Sequence, residues 1–228
     1  MMNTGLFLEA IDREEALRYM GFGDSEPDKS FMDRIDSIES ELIKTASPRF
    51  IWKVLSLSYD ESGNYCAGGI TLTGKAIAEH LEGSTEVILI AATLSSKGDM
   101  LIAKAQARSM TDALIADALA SAGIEQICNK AEYLIGQELE GKYMTWRFSP
   151  GYGDLPLDLQ DDFINELDAQ RKIGLTVTDS SILIPTKSVT AIIGISDTPF
   201  PRKRQGCAFC NMRDRCQFRR KGVHCGNA

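Results

Sequence analysis

With 228 residues, 43% hydrophobic and 25% charged, the chain has the make-up of a soluble globular protein, large enough for one sizeable domain and an appendage. Its most apolar run, residues 87–92, is far too short to cross a bilayer, and residues 1–13 lack a basic segment leading into an apolar core, so neither a membrane span nor a signal peptide is expected. The net charge of −7 hides a split: from Pro201 onward eight basic residues face one acid, a net of +7, which leaves −14 on the remainder.

In chain order, residues 12–20 read as a short helix, and a Gly/Ser/Asp/Pro cluster at 21–29 interrupts the chain. Phe31, Ile35, Ile38 and Leu42 recur at helical spacing, which predicts an amphipathic helix over 30–46, ended by Pro48. Residues 50–59 read as a strand with Ile51, Val54 and Leu55 in the core. A loop over 63–69 carries Cys66, and Thr73 is placed to cap a short helix over 74–81, closed by Gly83. Residues 86–93 are nearly all apolar, as expected of a strand buried on both faces. Two helices follow, over 97–108 and 110–139; Ala113, Ala120, Ile124, Ile127, Ala131 and Leu134 lie along one side of the second and admit a close neighbour.

The stretch Arg147-Phe-Ser-Pro-Gly-Tyr-Gly-Asp-Leu-Pro156 then joins an aromatic, β-prone segment over 143–146 to a helix over 159–169 that Asp158 is placed to cap. Pro150 fixes its own φ and extends Ser149. Gly151 and Gly153 permit backbone shapes closed to other residues and let a ligand come close to the main chain. Arg147 offers a planar fork suited to a carboxylate, and Tyr152 a flat face with a polar tip. A small zwitterion carrying a flat ring suits such a turn; a plain loop with a surface arginine is the alternative. Three strands close the domain, over 175–178, 182–184 and 188–195, the last of them central. The expected fold is α+β: a mixed or antiparallel sheet packed with long helices over residues 1–200, followed by a separate tail over 201–228.

Three pieces of this half resemble the reactivation domain of cobalamin-dependent methionine synthase, in a short free-standing form. Arg147-Phe-Ser-Pro-Gly-Tyr152 matches that family's Arg-x-x-x-Gly-Tyr turn. Ile173-Gly-Leu-Thr-Val-Thr-Asp-Ser180 is similar to its Gly-x-x-Leu-Thr-Glu-Ser segment, and Pro185-Thr-Lys-Ser-Val-Thr190 to its Pro-x-x-Ser-Val-Ser strand entry. The resemblance spans roughly residues 86–196 and implies S-adenosylmethionine as ligand. It gives Arg147 the methionyl carboxylate, the Ser149 backbone the adenine, Gly151 the close approach and Tyr152 the pocket wall. It further implies an accessory role in the reductive methylation of a corrinoid. This chain has no Asp-x-His-x-x-Gly corrinoid motif, so the corrinoid is expected on a partner protein, with its methyltransferase and an electron donor as further partners. The family's acid for the ligand ammonium has no counterpart among these pieces; Asp33 or another acid is left as a stand-in, unassigned.

The tail reads Cys207-x2-Cys210-x5-Cys216-x8-Cys225, a ligand count that satisfies a tetrahedral zinc or an iron–sulfur cluster, with His224 as a substitute ligand. Surrounding arginines favour thiolates. The need for an electron in reactivation tilts the expectation to iron–sulfur. Free thiols in a basic tail are the plain alternative. A second functional reading is a metal-containing binding module whose basic tail contacts nucleic acid or a protein. The acidic remainder argues against nucleic acid and for an acidic protein partner. Cys66 and Cys128 read as buried small hydrophobes, and the cytoplasm is the default location.

Overall fold

The computed structural model describes residues 2–3, 6–22 and 25–200. In chain order the elements are β1 (Met2–Asn3), α1 (Arg13–Tyr19), α2 (Lys29–Thr45), β2 (Arg49–Tyr59), β3 (Tyr65–Ala67), β4 (Ile70–Leu72), α3 (Lys75–Leu81) and β5 (Glu86–Thr93). There follow α4 (Ser96–Arg108), α5 (Met110–Glu138), β6 (Tyr143–Met144), α6 (Leu159–Leu167), α7 (Ala169–Ile173), β7 (Thr176–Val177), β8 (Leu183–Ile184) and β9 (Ser188–Ser196).

Of the expected mixed or antiparallel sheet, the antiparallel form is found: every strand pair among the described residues is antiparallel. The main sheet runs β4-β3-β2-β5-β9-β6, with β1 also on β2, and β7-β8 form a separate hairpin. The two interior strands β5 and β9 pair along the whole of β5, from Glu86 opposite Ile195 to Thr93 opposite Ser188.

Because side chains alternate along a strand, the sheet separates two apolar layers. Phe50, Trp52, Ile88, Ile90, Ile193 and Ile195 face α1, α2, α4 and α5. Ile51, Val87, Leu89 and Ile192 face α3, α6 and α7. This two-sided burial is why β5 carries no polar alternation. Val54 and Leu55, expected in the core with Ile51, are half-buried, since β2 runs on past them to pair with β3.

Local chemistry sets most helix ends. Asp12, Asp28 and Ser109 cap α1, α2 and α5 by accepting from the backbone of Glu15, Phe31 and Asp112. Two expected caps are corrected. Thr73 does not cap α3; its first N–H groups donate to Asp154, in the distant turn. Asp158 makes no side-chain cap bond, because its own backbone is already helical at φ −64° and ψ −19°. The helix expected over 159–169 stops at Leu167, where Asp168 takes a left-handed φ of 54° and α7 begins. The expected loop around Cys66 is instead the β3–β4 hairpin; Cys66 sits half-buried on β3, opposite Thr71. The Cys-rich tail, residues 201–228, lies outside the described residues.

Candidate functional site

The site is built on the outer edge of β9. Met144 of β6 pairs with Ile195. Next, Thr145 N–H donates to Gly194 O at 2.9 Å, and Gly194 N–H donates to Thr145 Oγ1 at 2.7 Å. Phe148 then exchanges two backbone bonds with Ile192, both at 2.9 Å. Four steps along this strand, from Met144 to Phe148, cover only three along β9, from Ile195 to Ile192. One residue is therefore in excess, a β-bulge, and a bulge re-aims the side chains that follow it. Without it, strict alternation would send Arg147 to the α3 side and Phe148 to the α5 side. With it, Phe148 packs into the layer of α3 and α6, and Arg147 turns toward α5.

Glu125, Asn129 and Glu132 stand at spacings of four and three on α5, hence on one helix face. Arg147 Nη1 donates to Glu132 Oε1; Nη2 donates to Glu125 Oε2 at 2.9 Å and to Asn129 Oδ1 at 3.0 Å. The Arg147 side chain is 18% exposed, Glu132 23% and Glu125 45%. The fork is thus engaged by the protein's own acceptors, and Glu125 is the most solvent-facing charged member. Beneath lies Cys128, fully enclosed, and burial pushes its thiol up to about 12 against the opposing pull of the Arg147 charge. Across from Glu125, burial first and then the Glu15 carboxylate raise the phenol of Tyr19, with Glu125 adding to the effect.

The turn itself is closed by Tyr152 N–H to Ser149 O at 3.0 Å, Leu155 N–H to Tyr152 O at 3.1 Å and Gly151 N–H to Leu155 O at 2.9 Å. Gly151 has φ 85° and Gly153 φ 59°, the left-handed region that favours glycine. Both are also packed: a Cβ on Gly153 would stand 2.8 Å from Ala76 Cβ, and one on Gly151 3.0 Å from Leu157 Cδ1. The Tyr152 ring meets Phe148 edge to face at 5.2 Å, and His80 lies between Trp146 at 4.6 Å and Phe148 at 4.9 Å. His80 Nε2 and Thr145 Oγ1 are 2.9 Å apart. Of the four residues singled out in the sequence, Arg147 thus stands on the sheet edge and turns to its α5 side, while Ser149, Gly151 and Tyr152 follow in the turn, with the Tyr152 ring on the α3 side.

The other two motif segments are connectors. Gly174, φ 72°, ends α7, and Thr178 Oγ1 accepts from Ile182 N–H at 3.1 Å in the β7–β8 turn. Thr186 donates through N–H and Oγ1 to Asp99, both at 2.8 Å, and Lys187 pairs with Asp117 at 2.8 Å. These bonds fasten the entry of β9 to α4 and α5. Asp33 is exposed on α2.

Sequence reasoning passed over Glu125, Asn129, Glu132 and Asp154. The first three did leave a trace: a polar stripe on a helix otherwise rich in buried Ala and Ile. Among the described residues no three His, Cys, Asp or Glu side chains gather as a metal site, and no helix is long and apolar enough to cross a membrane. The cysteines at 207, 210, 216 and 225 lie outside the described residues.

No protein-family model and no curated protein matches the chain. Among solved structures, the crystal structure of the MetH reactivation domain bound to AdoHcy is similar, with a TM-score of 0.55 at 17% sequence identity. The match covers 92% of this chain and 74% of that one. At this identity the likeness establishes the fold alone.

Proposed function

We propose that the chain binds S-adenosylmethionine at the turn running from Arg147 to Tyr152 and supports reductive methylation of a corrinoid held by a partner protein. The observation that carries this reading is the position of Arg147: a bulge turns its guanidinium to the α5 side of the sheet edge from which the glycine-shaped turn leaves, on a fold similar to one solved with AdoHcy bound. The donor set fits an amino-acid carboxylate, because a guanidinium Nη2 shared between Glu125 and Asn129 can exchange one acceptor for another. Ser149 and Gly151 are assigned to the ligand's base and close approach, and Tyr152 to the wall. The protein's contribution is binding and orientation, and the corrinoid supplies the reactivity. Cys207, Cys210, Cys216 and Cys225 are proposed to hold zinc or an iron–sulfur cluster, and the tail's +7 to dock on an acidic corrinoid protein or electron donor.

Titration calorimetry with S-adenosylmethionine and S-adenosylhomocysteine tests the ligand assignment. Saturable heat supports it, and no heat from either rejects it. The filled fork favours one other reading, in which Arg147 only staples the turn to α5 and the chain is a metal-containing binding module. That reading predicts a stability loss on Arg147→Ala with no nucleoside binding in the wild type.

A further inference from the structure

Helix α3 is seven residues long, yet it holds the segment 145–154 at three places. At its start, Lys75 N–H donates to Asp154 Oδ2 at 2.6 Å and Ala76 N–H to Asp154 Oδ1 at 2.9 Å. Gly153 lies against Ala76, so closely that a Cβ there would stand 2.8 Å from the Ala76 Cβ. In the last turn of α3, His80 Nε2 stands 2.9 Å from Thr145 Oγ1, the same oxygen that accepts from Gly194 N–H. The His80 ring also meets Trp146 edge on at 4.6 Å and Phe148 at 4.9 Å, and Phe148 leads on to Tyr152 at 5.2 Å. Thr145 and Trp146 lie within the bulge that turns Arg147 toward α5. Ile77 and Leu81, both fully buried, fix the helix itself in the layer of Val87, Leu89 and Ile192. One end of a short, anchored helix therefore grips the bulge, and the other grips the return of the turn.

A segment of this length left to itself has to be ordered by whatever binds it, at a cost in affinity. Held at both ends, it is ordered beforehand. We infer that α3 is the splint of the binding turn: His80, through Thr145 and the bulge, fixes where Arg147 points, and Asp154 fixes the return of the chain past Gly151 and Tyr152. Both are positioning residues, which act on the site through the segment they hold. The effect on affinity rests on the ligand assignment above; the grip on the turn stands without it.

The test reads each tie at the end it does not touch, on the full chain, by amide hydrogen exchange resolved residue by residue. In His80→Leu the reporters are the N–H groups of Gly151, Tyr152 and Leu155, which close the turn, and those of Lys75 and Ala76 on Asp154. In Asp154→Ala they are the N–H groups of Thr145 and Phe148, which bond Gly194 O and Ile192 O. Exchange at these far reporters is expected to quicken by about threefold or more beyond any change in the amides of β5, which report global opening; this is the lower end of coupling within one packed network. His80→Gln and Asp154→Asn, which keep a hydrogen-bonding group in place, should return most of the protection. A helix that is merely capped and packed loses protection beside the substitution alone, or throughout the sheet. Far reporters that keep the wild-type rate, or that quicken no more than β5, refute the splint.

Titration calorimetry with S-adenosylhomocysteine reads the consequence. His80→Leu and Asp154→Ala should each weaken binding by about fivefold or more, and the conservative variants should recover most of it. Unchanged affinity beside quickened far-end exchange refutes the positioning role. If wild type takes up no S-adenosylhomocysteine, the ligand assignment fails and the exchange result alone decides the splint.

Discussion

Asp154, in the turn, caps a helix far behind it in the chain: Lys75 N–H donates to its Oδ2 at 2.6 Å and Ala76 N–H to its Oδ1 at 2.9 Å. Gly74, with φ 130°, leaves no room for a side chain of its own, since a Cβ there would lie 2.5 Å from Asp154 Oδ1. The start of α3 and the turn are therefore one unit. Asp154→Ala is expected to destabilise the protein by about 1 kcal/mol, the usual worth of a cap. Asp154→Asn, which keeps an acceptor, should lose less. Urea unfolding followed by circular dichroism reads both, and equal midpoints for wild type and the alanine variant would remove the cap from the account.

Arg147 is held in three directions, so its removal has two consequences. Arg147→Ala leaves Glu125 and Glu132 on one face of α5 without their shared cation. Ligand affinity should fall by about 1.5–3 kcal/mol, the worth of a charge-assisted bond, and stability should fall with it. Arg147→Lys keeps the charge but not the fork, and one ammonium cannot reproduce the planar reach to Glu132, Glu125 and Asn129. It should recover part of the stability and little of the affinity. Calorimetric titration beside thermal unfolding separates these, and full affinity in the lysine variant would refute recognition by a fork.

Much of this arrangement could be read from the chain, and what could not follows a rule. The interior strand β5 was legible because six apolar residues in a row, Val87 to Ala92, have one reading when the flanks are short. The long helices were legible from their spacing. The β3–β4 hairpin was not, since each strand is three residues long and sits among glycines. Asp154 as a cap was invisible because local cap rules look only at the residue preceding the helix. The bulge depends on register with β9, which no single strand contains. For the same reason the polar stripe of Glu125, Asn129 and Glu132 had no meaning until Arg147 was known to face it. The turn's own residues show a guanidinium suited to a carboxylate; that the protein brings carboxylates of its own is visible only once α5 and the sheet edge are packed together.

The two turn glycines differ in what surrounds them, and their alanine variants should differ in cost. At Gly153 the added Cβ meets Ala76 Cβ at 2.8 Å and Phe148 at 3.2 Å, neither of which is the far end of a flexible chain, and φ is 59°. At Gly151 it meets the tip of Leu157, an exposed side chain that can turn away, although φ is 85°. Gly151→Ala is expected to cost about 1 kcal/mol from backbone strain alone. Gly153→Ala should cost roughly 1–3 kcal/mol more, from overpacking against α3. Denaturant midpoints decide the order, and a Gly151 variant less stable than the Gly153 variant would contradict this packing.

Cys128 supplies a prediction that depends on pH. Its thiol belongs to the buried, apolar side of α5, with its ionisation pushed from the ordinary 9.0 up to about 12, chiefly by burial, so at neutral pH it is a protonated, enclosed group. Iodoacetamide at pH 8 with peptide mapping should leave Cys128 unlabelled in the folded protein and label it after unfolding, because thiolate and access are both needed. The effect on stability follows from the direction of the shift. The folded value is raised, so the contribution is complete below the unfolded value near 9.0 and is lost as pH rises toward about 12. Cys128→Ala should therefore flatten the alkaline limb of the stability curve relative to wild type, at a modest cost in packing at neutral pH. Rapid labelling of Cys128 in the native state would mean that α5 opens locally beneath Arg147, and the guanidinium would then lack the rigid floor on which its aim depends.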